Sequence, residues 1–385
     1  MNLFQLFSKY LLIGATSYGG YLSMVAAIRK ELVDKEKLIN DSTITEGLVL
    51  ASVLPGPVAV NVAIYTGYVM RGIAGAVVAF TGVLLPSFVM LLVFSYLYFK
   101  TGYKLKLNLL VSALVPVIAA LLLSVTIRMA RINLKKKLHY IIMFISFVAL
   151  WLWPGYTTIL VCLGLGALSG VIQGYSKNDE FKKTMLKVKP LYFLAVAFIG
   201  VLFLIWLLPG NSPFQIFIEF SKISLSLFGG GYVMVPVLKS VLVDKTGWVT
   251  IQEFTAGISM GQFTPGPILI SSVFFGFKLD GFLGALAAML GIFLPAGMLM
   301  IGMSDLLIQV KDKPVIQGII QNLKPVVAGF MLQATGSLLF LSRLPVPIWY
   351  QAAVFIASFI LFYRFESSPV FPLLASGTMY YILFI

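Results

Sequence analysis

The chain has 385 residues, of which 59% are hydrophobic and 11% charged, and its mean hydropathy is +0.98. A soluble domain carries about 25% charged residues, so these values exclude an ordinary globular protein and describe a polytopic membrane protein. The net charge of +14 lies mostly in short loops between apolar spans, where topology and anionic lipid explain it better than nucleic acid does.

Apolar spans of roughly 17–25 residues are the expected unit. They read near 3–28, 44–69, 72–99, 108–130, 138–153, 156–173, 191–208, 214–238, 252–277, 281–308, 318–341, 347–363 and 368–385. The expected fold is therefore an all-α membrane protein of about thirteen transmembrane segments. Met1 to Tyr10 run into the first span without a small-residue cleavage site, so no cleaved leader is expected. Gly19 and Gly20 end or bend the first span. A glycine run exposes backbone N–H groups that can cup an anion, and close helix packing is the competing reading. The next loop mixes Arg29, Lys30, Lys35 and Lys37 with Glu31, Asp34, Glu36 and Asp41.

The second span holds Pro55-Gly56-Pro57. Proline lacks an N–H and clashes with the preceding turn, so this triplet is hostile to a continuous helix. In hydrocarbon, freed backbone groups are tolerated only where protein or a water-filled cavity meets them, and broken helices at membrane depth form ion sites in transporters. The third span opens with Gly72, Gly75, Ala76, Ala79 and Gly82, a small-residue face suited to close helix packing in lipid. Further on, His139 follows Lys135-Lys136-Lys137 at a membrane edge and reads as interfacial. Cys162 reads as a small packing residue. One histidine and one cysteine leave no metal cluster, disulfide or catalytic set, and no nucleotide-binding loop is present. No enzyme activity and no cofactor are expected.

The second Pro-Gly-Pro, at Pro265-Gly266-Pro267, belongs to an internal repeat. Residues 14–57 align with 224–267 at a shift of 210, after which the shift is 209. Gly19-Gly20 falls on Gly229-Gly230, Val33-Asp34-Lys35 on Val243-Asp244-Lys245, Gly82 on Gly291 and Pro86 on Pro295. The domain reading is one transporter repeat over 1–173, a basic loop and connecting span over 174–213, and a second repeat over 214–385. Six crossings per half plus one connecting crossing turn the second half over, giving an inverted repeat. The basic clusters at Arg128–Lys137 and Lys177–Lys189 face the cytoplasm by the positive-inside rule, which puts the N-terminus inside. The basic loop after the first span objects. If the first Pro-Gly-Pro span is re-entrant, this loop returns inside and the halves run parallel instead.

A half-helix starting after each triplet offers unpaired N–H groups and the positive end of a dipole. Asn61 lies one turn on, with Ser271 as the second-half equivalent, while Ser52 and Gln262 are aligned upstream and Thr264 precedes the second triplet. Amide, hydroxyl and N–H donors suit a tetrahedral oxyanion. Such an anion needs charge or many donors to offset desolvation, and Arg29, aligned with Lys239, is the candidate cation. Glu219 and Lys222, one turn apart inside a span, are candidates for a buried pair or a coupling group.

The combination of Ser17-Tyr18-Gly19-Gly20, Ile28-Arg29, Leu54-Pro55-Gly56-Pro57 and the Gly72/Gly75-Ala76/Gly82/Leu85-Pro86 series resembles the chromate ion transporter family in its long, two-half form. The second half repeats it as Phe228-Gly229-Gly230-Gly231, Trp248-Val249-Thr250, Gly261-Gln262-Phe263-Thr264-Pro265-Gly266-Pro267 and Gly291-Ile292-Phe293-Leu294-Pro295. The resemblance implies a plasma-membrane chromate exporter, coupled to protons, with sulfate as a look-alike anion. A passive anion channel and a lipid-head-group flippase are the alternatives. Expected partners are the oxyanion, the lipid bilayer and a second copy in a homodimer.

Overall fold

The computed structural model describes residues 2–18, 21–100, 104–175, 212–226, 234–310, 314–340, 346–365 and 367–384. The glycine pairs Gly19-Gly20 and Gly229-Gly230, the connecting span 191–208 and its basic loop lie outside the described residues. Among the described residues there are helices and turns but no strand.

In the first half the helices are α1 (Leu3–Thr16), α2 (Tyr21–Arg29), α3 (Asp41–Val53), α4 (Val58–Lys100), α5 (Lys104–Asn133), α6 (Lys137–Leu152) and α7 (Tyr156–Tyr175). In the second they are α8 (Ser212–Leu225), α9 (Met234–Lys239), α10 (Ile251–Phe263), α11 (Ser272–Val310), α12 (Pro314–Phe340), α13 (Ile348–Arg364) and α14 (Val370–Phe384). A π-helical turn extends α2 over Lys30–Lys35, and another extends α9 over Ser240–Lys245. A 3-10 turn, Ile268–Ser271, leads into α11. Among the described residues, four segments are long and apolar enough to cross a membrane: Val58–Lys100, Val111–Asn133, Ile268–Ser304 and Ile316–Phe340.

The first two spans read from the sequence are each split. The span read over 3–28 divides into α1 and α2, because α1 ends at Ser17 (φ −87°, ψ 81°). The span read over 44–69 divides at the triplet. There, α3 stops at Val53, Leu54 is extended (ψ 151°) and α4 starts at Val58. The thirteen residues of α3 cover about 20 Å at 1.5 Å each, short of a ~30 Å hydrocarbon core. The start of α4 is also short, since the helix folds back at Arg71 and Gly72. Its two arms touch: a Cβ on Gly67 would stand 2.5 Å from the Gly75 carbonyl and 2.7 Å from Ala79 Cβ. Helix α11 folds back in the same way at Asp280 and Gly281, with Gly276 packed on Gly284. The small-residue faces thus pack against the arm that follows each Pro-Gly-Pro.

The chain forms two compact units. The first comprises Met1–Ser95, Val171–Gly231 and Thr264–Gly318 and holds α1 to α4, α8 and α11. In it, α1 packs on α4 through Gly14 against Val83 and Gly82 against Tyr10, and α8 packs on α11 through Gly291 against Phe217 and Phe220. Ser224 donates to the Ile292 carbonyl (2.6 Å) at the same seam.

The second unit comprises Tyr96–Gly170, Tyr232–Phe263 and Ile319–Ile385. Its α5 is buried along most of residues 111–126 and packs against α10, α13 and α14. Ser376 on α14 donates to the Ala113 carbonyl (2.8 Å), and Tyr350 on α13 donates to the Ser376 carbonyl (2.6 Å). Helix α6 packs on α12 through Gly329 and Gly336, which seat Ser146 and Trp151.

Candidate functional site

Both Pro-Gly-Pro turns belong to the first unit. In each, glycine takes a backbone conformation that L side chains rarely adopt: φ is +108° at Gly56 and +101° at Gly266. Proline occupies both N-cap positions, so no side chain there can accept from the first-turn N–H groups. Pro267 is extended and offers no side-chain cap, and the Pro57 carbonyl accepts from Asn61 N–H at 3.0 Å.

Each turn is seated on the long helix of the other repeat, one residue after that helix's proline. A Cβ on Gly56 would collide with Ala296 Cβ, and one on Gly266 would collide with Ser87 Oγ. Ser87 and Ala296 are equivalent at a shift of 209. Turn one meets repeat two where turn two meets repeat one, the reciprocal pattern of a two-fold contact.

The chemistry at the two turns differs. Ser87 donates its hydroxyl to the Pro265 carbonyl (2.5 Å), and Gly266 N–H donates to the Ser17 carbonyl (2.6 Å). The Ser17 hydroxyl is spent on Ile13 O (2.6 Å), so Ser17 contributes its backbone rather than its side chain. At the first turn the side chain met by Gly56 is the Ala296 methyl. Beside it stands Asn61, fully buried, with neither amide atom hydrogen-bonded. Its Nδ2 lies 3.6 Å from where a Gly56 Cβ would be. Downstream of the second turn, the hydroxyls of Ser271 and Ser272 are also buried and without a partner. A buried polar group left unmade costs about 1–3 kcal/mol. Among the described residues, this first unit thus collects unsatisfied donors next to both breaks.

The other candidate residues fall differently. Pro55 is half-buried, whereas Pro57, Thr264, Pro265 and Pro267 are buried with the turns. Gln262 is buried on the last turn of α10, in the second unit. Ser52 is exposed and bonds its own helix at the Leu48 carbonyl (2.7 Å). Arg29 is exposed and pairs with Asp41 (2.7 Å), so its charge is already balanced at the helix entry. Lys239, aligned with it, is buried and pairs with Asp244 at 2.8 Å. Glu219 and Lys222 do pair (2.6 Å), but not in a buried site: their i,i+3 spacing lets them meet on α8, with Lys222 exposed. His139, read as interfacial, is 3% exposed.

Two features escaped sequence reading. Ser87, next to Pro86, carried no signal of its own. Glu31 is buried between Lys9 (3.1 Å) and Lys35 (3.0 Å) because the π-turn brings it back toward α1. Lys35 and Lys9 beside it hold its carboxyl below the ordinary carboxylate range.

The family model described as "Chromate transporter" matches this chain twice, over residues 4–171 and 214–381. A relative named as an uncharacterized transporter of Methanocaldococcus jannaschii is 26% identical over 384 residues, 98% of this chain and 94% of the relative. The chromate transport protein of Pseudomonas aeruginosa is 25% identical over 394 residues, covering 99% and 92%. An uncharacterized transporter of Bacillus subtilis is 31% identical over 182 residues, covering 44% of this chain and 88% of its own length. No solved structure matches.

Proposed function

Because the chain belongs to the chromate transporter family, we propose that it is a secondary transporter that exports a divalent tetrahedral oxyanion, chromate first and sulfate as a look-alike, across the plasma membrane with proton coupling. The two repeats are inverted in this reading, with the N-terminus cytoplasmic. The relative from Pseudomonas aeruginosa, named as a chromate transport protein and aligned over 92% of its length, supports the substrate class.

The observation that carries the reading is the buried, unpartnered Asn61 amide over the Gly56 turn. A dehydrated dianion needs many donors. Each half-helix N-terminus offers about half a charge together with its free N–H groups. Asn61, Ser271 and Ser272 add uncharged donors, and the side-chain-free glycine turns let an oxyanion approach the backbone. With Arg29 engaged by Asp41, neutral donors and helix dipoles do most of the binding.

Labelled chromate flux into sealed vesicles holding the purified chain tests this. The expected result is saturable flux that sulfate inhibits and that an imposed pH gradient accelerates. Flux that rises linearly with chromate and ignores the gradient would mean a passive channel, and no flux would sink the reading.

A further inference from the structure

Helix α3 and the first arm of α4 form a hairpin with the Gly56 turn at its tip. Every exposed residue of α3 is polar: Asp41, Ser42, Thr45, Glu46 and Ser52. The exposed face of the second arm of α4 is lined instead by Val77, Leu85, Val89 and Val93, as lipid requires. A carboxylate at membrane depth turns toward protein or water, so the α3 stripe faces water. About two and a half turns from the tip on both arms, Glu46 meets Tyr65. Gly47 seats the Tyr65 ring, with a would-be Cβ 2.9 Å from Tyr65 Cδ1, and the Tyr65 hydroxyl donates to Glu46 Oε2 (3.3 Å). Asn61 stands one turn nearer the tip on the same face of α4.

Glu46 differs from the other carboxylates of this unit. Glu31 and Glu36 pair with Lys9, Asp41 with Arg29 and Glu219 with Lys222. Among the described residues, Glu46 takes the Tyr65 hydroxyl and pairs with no Lys or Arg. Of the elements packed on α3, α2 brings Arg29, which Asp41 holds. Helix α4 brings Tyr68 and Arg71, one and two turns beyond Tyr65, and α11 carries Lys278, Asp280 and Asp305. The second repeat drops the pair as a whole. Glu46 falls on Ala256 at the shift of 210 and Tyr65 on Phe274 at 209, both fully buried. The equivalent helices thus form without a carboxylate or a phenol at these positions, so the pair is not what holds the first repeat's helices.

Resting on the transport reading, we infer that Glu46 carries the coupled proton and that Tyr65 is the positioning residue for its carboxylate. One carboxylate oxygen takes a proton from water in the stripe on loading, and the O–H bond returns it to water on unloading. The carboxylate and the dianion share a sign and stand about 13 Å apart along the hairpin. Their repulsion, screened by the water of the stripe, weakens anion binding by about three- to tenfold. Protonation lifts that penalty, so proton and anion load together and leave together. The pair carries one net negative charge, which an inside-negative membrane potential drives outward, the direction of export.

The full chain in proteoliposomes tests this above neutral pH, where chromate stays a dianion. In the parent, exchange of labelled for unlabelled chromate at equal pH should slow as pH rises, and net uptake should quicken several-fold with acid outside. In Glu46→Gln, exchange should lose its pH dependence and net uptake should ignore the gradient. Glu46→Asp should restore both responses in part. Tyr65→Phe removes a hydrogen bond to the charged form, so the fall in exchange should shift to higher pH, which a loss of packing alone would not do. On the parent alone, the voltage dependence should report one net negative charge per chromate. Two charges, with no proton, overturn the inference even if a variant fails to fold. Parental responses to pH and gradient in Glu46→Gln overturn it and leave the transport reading standing. Loss of exchange in both Glu46→Gln and Glu46→Ala, with normal insertion, also overturns it, because Glu46 would then serve the anion site or the fold. A parent that moves no chromate sinks the transport reading and this inference together.

Discussion

The two Pro-Gly-Pro turns share a backbone and differ in what they leave open. The second is tied down: its Gly266 N–H reaches Ser17 and its Pro265 carbonyl takes the Ser87 hydroxyl. The first rests on the Ala296 methyl with a buried, unpartnered amide beside it. The two turns thus differ in how their backbones are held: one is anchored by hydrogen bonds to the other repeat, and the other rests on a methyl beside an unpartnered amide. Ser87 against Ala296 and Asn61 against Ser271 mark that difference.

The strongest way to break the comparison is to fill the first turn. Gly56→Leu should reduce chromate flux to background while the protein still inserts and purifies, because the side chain meets Ala296 in a backbone conformation closed to it. In the double-mutant cycle, Ala296→Gly should recover part of the loss of Gly56→Ala by removing the clash but not the backbone strain. Additive losses, with no recovery, would show that Ala296 does not seat the turn.

Asn61→Leu comes next. Replacing an unsatisfied buried amide with an apolar group of similar shape is neutral or stabilising, so melting temperature should hold or rise. If the amide serves the anion, flux should fall by about tenfold or more, the worth of a hydrogen bond to a charged group. A fall in both would mean that Asn61 holds the fold.

The same contrast between repeats shows how much the sequence made legible. The breaks at 54–57 and 264–267 were readable because proline removes an N–H wherever it stands. The shift of 210 brought Gly56, Gly266, Asn61 and Ser271 forward as candidates. Partner choice was not readable. Arg29 and Lys239 align, and each has an Asp five residues on, yet Lys239 closes on Asp244 while Arg29 reaches Asp41. Alignment gives position along a helix, whereas pairing depends on which face tertiary packing buries. The same limit hid Ser87, whose role exists only because a turn 178 residues away lies against it. It also hid Glu31, which a π-turn rotates inward.

Two weaker substitutions sharpen the comparison. Glu31→Gln should cost about 1–3 kcal/mol by removing the charged acceptor that a buried side chain offers to Lys9 and Lys35. The Glu31 carboxyl sits below its ordinary range in the folded chain, so its contribution is fully present above the unfolded carboxylate value near 4.3 and is lost as pH falls through the lowered folded value. The difference in thermal stability between parent and variant should therefore shrink only on acidification below about pH 4. Ser87→Ala makes the second turn resemble the first and should cost about 1 kcal/mol, with flux reduced a few-fold. An unchanged melting curve would mean the Ser87 hydroxyl is not an anchor.

The smallest effect belongs to Arg29→Ala. An exposed ion pair is worth about 0–1 kcal/mol, so stability and flux should stay within a few-fold of the parent. Near-complete loss of flux would return Arg29 to the anion site and weaken the case for neutral donors.

The central claim is that the oxyanion is held at the first turn. Anomalous diffraction at the chromium absorption edge, on crystals of the full chain soaked in chromate, locates the metal without reference to any transport assay. The account predicts one peak with chromate oxygens in hydrogen-bonding reach of the Asn61 amide and the N–H groups that open α4, and no such peak in Asn61→Leu. A peak at the Ser87-anchored second turn alone, or an undiminished peak in Asn61→Leu, would contradict it.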